Sequence, residues 1–205
     1  MISIGEAVTN SKAHVILLVA IALVSCSPGP EPSTVMAPVV KVDKPFVAAG
    51  TIEMQLESGD YVIRASPDER IRVSFSGNTG NAAADLGISG THANLQIRDT
   101  PHSNFRATVE VPATADLTVH LSAGNLDVAA ITGNKDIDSK AGNVWIAIPN
   151  SSDYGTVDAA VKLGNLNAGA FGDAKSGLSP HLKWAGSGKY TLRASLGAGN
   201  LELKH

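Results

Sequence analysis

The sequence predicts an all-β protein wound as a β-solenoid, a single-sheet stack of coils built from Gly-Asn corner repeats. A β-sandwich of hairpins is the alternative. Three observations point there. From residue 50 onward apolar residues recur with a period of two, and no 3.6-residue pattern of any length follows residue 24. Gly is abundant at 20 residues while aromatics make up only 4%, a composition suited to thin, stacked β-structure. A unit reading small-Gly-Asn-apolar-polar-apolar also returns along the chain. It is "SAGNLDV" at 122–128, "KAGNVWI" at 140–146, "KLGNLNA" at 162–168 and "GAGNLEL" at 197–203, with "SGDYVIR" at 58–64 as an Asp variant.

The chain opens with an apolar run, "VILLVAIALV" at 15–24, too short to span a bilayer but of signal-peptide length. Lys12 and His14 precede it as a weak positive region. Leu23-Val24-Ser25-Cys26 then resembles the bacterial lipobox, and Cys26 is the sole cysteine of 205 residues. The resemblance implies that residues 1–25 are a lipoprotein signal peptide and that Cys26 is acylated after cleavage. Ser27, not Asp, follows the cysteine, which by enterobacterial sorting favours the outer membrane. Residues 26–45 carry prolines at 28, 30, 32, 38 and 45 and read as the lipidated Cys and an extended tether. The expected folded domain is 46–205.

Within that domain the alternating runs read as half-buried strands. They are Ile52-Met54-Leu56, Ile71-Val73-Phe75, Phe105-Ala107-Val109-Val111, Leu117-Val119-Leu121, Val144-Ile146-Ile148, Tyr190-Leu192-Ala194-Leu196 and Leu201-Leu203. The best helical candidate, "DAAVKL" at 158–163, is cut short by Gly164. Gly and Asn most readily take positive φ, so the corners are expected at Gly59, Gly124-Asn125, Gly142-Asn143, Gly164-Asn165 and Gly199-Asn200. "HANLQI" at 92–97 reads as a sixth corner without the glycine. Each coil would leave an apolar face that only a neighbouring coil can cover, and the corner asparagines could then form a hydrogen-bonded ladder. Lys204 and His205 would discourage end-to-end stacking.

The stretch "VEVPATADLTVHLSAGNLDVAAITGNKDIDSKAGNVWIAI", 109–148, resembles the bacterial putative-adhesin family, as do "ESGDYVIRAS" and "LGAGNLELKH". The resemblance covers roughly residues 46–205 and implies a β-solenoid-like cell-envelope domain. The insertion "FGDAKSGLSPHLKW", 171–184, departs from the pattern.

Composition excludes some classes. A formal charge of −3 with scattered cations argues against nucleic acid as a partner. No cofactor and no metal is expected, since the histidines at 92, 102, 120, 181 and 205 lack ligand spacing. Asp136 and Asp138 offer two carboxylates on one strand face, a weak pattern for a hard cation. "GSGKY" at 186–190 lacks the glycine spacing and helix of a phosphate loop. Alternation turns Trp145 outward, and with Asp127, Asn167 and Glu202 it forms a possible contact strip beside the corners. No catalytic residue is assigned. The expected function is that of a non-enzymatic, lipid-anchored envelope protein, structural or adhesive, on the outer membrane or its periplasmic face. Its expected partners are the membrane, through the lipid, and an envelope glycan or protein. The alternative is a periplasmic carbohydrate-binding or carbohydrate-active module.

Overall fold

A strand turns successive side chains to opposite sides, so a period-two run buries one set and wets the other. The alternation does this throughout. In the computed structural model, residues 38–205 are described. They form β1 (Val39–Pro45), β2 (Thr51–Leu56), β3 (Gly59–Ala65), β4 (Arg70–Gly77), β5 (Ala83–Ser89), β6 (His92–Arg98) and β7 (Phe105–Val111). These are followed by β8 (Asp116–Leu121), β9 (Gly124–Val128), β10 (Lys135–Ala147), β11 (Tyr154–Ala168), β12 (Asp173–Leu178), β13 (His181–Ala185) and β14 (Tyr190–Lys204). The described residues are all-β, with two single turns of 3-10 helix at Ser151–Asp153 and Gly169–Phe171. All inward-facing apolar residues, from Ile52 to Leu203, belong to one core.

The pairing gives the architecture. β2 and β3 are joined by a two-residue corner, and β8 and β9 by another. β10, β11 and β14 each run through such a corner without a break. The first halves pair in parallel: β6 with β2, β2 with β8, β8 with Lys135–Ser139, then β14 and β11. The second halves do the same: β7, β3, β9, then Gly142 to Ile146 of β10, then β14 and β11. We call these two sets of strands the front and back faces. Antiparallel strands finish both ends. β5 lies on β6, with β4 and β1 beyond β7, and β12 and β13 flank the two halves of β11. The ten-strand path from β1 to β5 nearly closes like a barrel, with Lys44 Nζ donating to the Leu86 carbonyl at 2.6 Å.

Several expectations change. The rungs do not stack in chain order: the 51–65 unit lies between 92–111 and 116–128, and β14 inserts between β10 and β11. Lys204 and His205 therefore sit inside the stack and cap no end. Residues 39–45, counted with the tether, form β1. Val42 is buried there, and Pro45 falls at the strand's last position, where a missing donor costs least. The "DAAVKL" segment is strand within β11, because its alternating Ala159 and Val161 face the core. "HANLQI" is no corner: it lies in the straight strand β6, with Asn94 exposed opposite Glu53. His92 opens that strand. The 171–184 insertion supplies the closing strands, and Trp184 on β13 packs on Phe171 with ring centroids 4.9 Å apart. The expected signal peptide and the expected lipidation site Cys26 lie outside the described residues.

Candidate functional site

The expected corner residues come together in two columns. Gly59, Gly124, Gly142, Gly199 and Gly164 occupy one register position on neighbouring rungs. Four of them hold φ between +116° and +139°, a region nearly closed to residues with a Cβ. Space demands glycine as well. A Cβ on Gly142 would run into the Gly124 carbonyl, and one on Gly199 into that of Gly142.

Beside the glycines runs an amide ladder. Asn125 Nδ2 donates to Asp60 Oδ1 at 2.8 Å and Asn143 Nδ2 to Asn125 Oδ1 at 2.8 Å. Asn200 Nδ2 donates to Asn143 Oδ1 at 2.7 Å, and Asn165 Nδ2 to Asn200 Oδ1 at 2.7 Å. A carboxylate can only accept, so Asp60 sets the direction of every amide behind it. On its far side Arg106 Nη2 lies 3.9 Å from Asp60 Oδ2.

The expected contact strip is also one row. Trp145 is register partner of Asp127 on β9 and of Glu202 on β14, and Glu202 is partner of Asn167 on β11. Neighbouring strands lie about 4.8 Å apart, so the two carboxylates straddle the indole at roughly 9–10 Å. Trp145 is half-buried on the back face and stands apart from the core cluster.

Two charged groups were only partly legible. One is a network across β1, β3, β4 and β7: Arg72 holds Asp68 at 2.6 Å and Asp43 at 3.4 Å, Arg70 holds Asp43 at 2.6 Å, and Arg64 holds Glu110 at 2.7 Å. Hydrogen bonds from Arg72, then from Ser66, hold the Asp68 carboxyl below its usual range. Lys135 was not anticipated. It is buried, 1% exposed, and donates to Ile131 O at 2.6 Å, Tyr154 Oη at 2.8 Å and Gly133 O at 3.3 Å. Burial lowers its pKa to about 8, opposed by the Asp116 carboxylate, and burial pushes Tyr154 up to about 12. Its place in the alternation marks Lys135 as inward, the one signal available beforehand.

The front face holds a groove that the sequence reading missed. It has a volume of about 530 Å³ and is lined by Gln55, Gln96, His120, Asp138 and Lys140, among others. Among the described residues, no group of three or more His, Cys, Asp or Glu could hold a metal ion, and no helix is long and apolar enough to cross a membrane.

No protein-family model matches the chain, and no curated protein sequence does. Among solved structures, it is similar to a "putative cell adhesion protein" from Clostridium sporogenes. The TM-score is 0.51 at 12% identity, covering 82% of this chain and 99% of that one. It is also similar to a "putative adhesin" from Bacteroides fragilis, with TM-score 0.25 at 10% identity over 86% and 100% of the two chains. A "putative lipid binding protein" from Parabacteroides distasonis gives 0.26 at 9% over 81% and 61%. The first superposition speaks for the fold; values near 0.25 speak for nothing further.

Proposed function

We propose that this protein is a non-enzymatic binding module of the bacterial cell envelope, a β-solenoid-like domain presented on a lipid anchor at Cys26. The observation that carries the reading is the row Asp127–Trp145–Glu202–Asn167. It places one half-buried aromatic between two carboxylates in register on the back face. Such a strip supplies contact area at little entropic cost, because its side chains already stand in fixed register. The shared fold with a protein described as a putative cell adhesion protein supports a role in contact. The full chain carrying Cys26→Ala, and so without the proposed lipid anchor, should sediment with isolated bacterial envelopes. Trp145→Ala should weaken that binding at least tenfold. Equal binding by both proteins would remove the strip from the reading.

A second reading, a carbohydrate-active module, draws on the same row. Two carboxylates roughly 9–10 Å apart approach the spacing of inverting glycosidases. Turnover of an envelope polysaccharide that is abolished by Asp127→Asn or Glu202→Gln would establish it in place of the first.

A further inference from the structure

We propose that the front-face groove is a second binding site, for an uncharged oligosaccharide. The proposal rests on the binding role above and gives that role a ligand class. The register places Gln96, Gln55, His120, Asp138 and Ser195 in one outward row across five neighbouring strands. From Gln96 to Asp138 the row spans three strand spacings, roughly 14 Å. The groove of about 530 Å³ follows this row, with Glu57, Arg98, Ser122 and Lys140 along its side and Leu56, Ile97 and Leu121 beneath.

Part of its hydrogen-bonding capacity is already committed. Gln55 Nε2 donates to Glu53 at 3.1 Å, Ser195 Oγ donates to Asp138 Oδ1 at 2.6 Å, Glu57 Oε2 accepts from the Thr100 amide at 3.2 Å, and Arg98 pairs with Asp85 at 2.6 Å. What remains faces the groove from five positions. Gln55 Oε1, Asp138 Oδ2, both ends of Gln96, the His120 ring nitrogens and Lys140 Nζ make no side-chain bond to another described residue. This set mixes donors and acceptors at intervals of about 4.8 Å. A hydroxyl both donates and accepts, so a chain of sugars can satisfy such a row along its length, whereas a small rigid ligand reaches only one or two rungs.

Charge selects among sugars. Glu57 and Asp138 oppose Arg98 and Lys140 along the lining, so the carboxylates and the cations balance in number. A polyanion meets as many carboxylates as cations and gains no net attraction. The site therefore fits neutral, hydroxyl- and amide-bearing chains. It lies on β2, β6, β8 and the first half of β10, while Trp145 lies on the second half of β10, so the two sites are separable by substitution.

Isothermal titration of the full-length protein would use three probes: hexamers of β-1,4-linked N-acetylglucosamine, of β-1,4-linked glucose and of galacturonate. At least one neutral hexamer should bind, and galacturonate more weakly. Gln55→Ala with Gln96→Ala should cost at least tenfold in affinity, with an unchanged melting temperature since both side chains are exposed. Gln96→Lys alone should give a comparable loss by introducing a long charged side chain. Lys162→Ala, exposed on β11 outside both sites, should leave this binding intact. Absence of binding by either neutral hexamer, tighter binding of galacturonate, or loss only in Trp145→Ala would each overturn the groove assignment. Envelope binding that persists while the neutral hexamers fail would sink this inference and spare the binding role. Loss of both would sink the role itself.

Discussion

The carboxylate of Asp60 accepts a 2.8 Å hydrogen bond from the side-chain amide of Asn125, and that one contact orients a ladder running through five rungs. With Asp60 able only to accept, each asparagine behind it must present its Nδ2 forward and its Oδ1 backward. Asp60→Asn should be nearly neutral, because a carboxamide oxygen can take the same bond. Asn143→Leu should cost about 1–3 kcal/mol, since it strands both an acceptor on Asn125 and a donor on Asn200. Asn165→Ala, at the open end, should cost about 1 kcal/mol. Urea unfolding would rank the three, and an Asn143 variant milder than the Asn165 one would refute the ladder as a stabilising unit.

The glycine column should be less tolerant than the asparagines. Gly142→Ala meets both a forbidden φ of +127° and the carbonyl of Gly124, so a loss above about 3 kcal/mol is expected. Gly87→Ala on β5 is the control, since a Cβ there meets nothing within 4 Å. It should be neutral or slightly stabilising. Equal melting temperatures for the two variants would remove close approach as the reason for glycine at the corners.

Lys135 should make stability depend on pH. Its folded pKa of about 8 lies below its ordinary value, so above pH 8 the native state sheds a proton that the unfolded chain retains. Stability attributable to Lys135 therefore rises with pH, by about 2 kcal/mol between pH 8 and 10. Tyr154 acts in the opposite sense. Its folded pKa of about 12 is raised, so its contribution is lost as pH climbs above about 10. Unfolding free energies of wild type and Lys135→Met, measured from pH 7 to 10, should diverge in favour of wild type. A constant difference would show that the buried amine does not change protonation.

The anchor is tested separately. Wild type expressed in a bacterium should incorporate labelled palmitate, and Cys26→Ala should not. Label retained by the variant would exclude Cys26 as the lipidated residue.

Alternation and corner chemistry are local, and the sequence by itself determined them. Period-two runs settled which residues of β2, β8 and β14 face the core, and small-Gly-Asn marked the turns at Gly124, Gly142, Gly164 and Gly199. The same alternation turned Trp145, Asp127 and Glu202 outward. The order of the rungs was settled only by the tertiary structure. Units such as 154–168 and 190–204 carry nearly the same corner, so no local signal says which one lies next to β10. That choice rests on the whole core, on the closing strands β12 and β13, and on which end must meet Asp60 and Arg106. The groove depends on the same choice. Gln55, Gln96 and His120 are scattered in the chain and become one row only when β6, β2 and β8 lie side by side. Lys135 reads as an ordinary strand residue until the packing closes over it and sets two backbone carbonyls and the Tyr154 hydroxyl as its hydrogen-bond acceptors among the described residues.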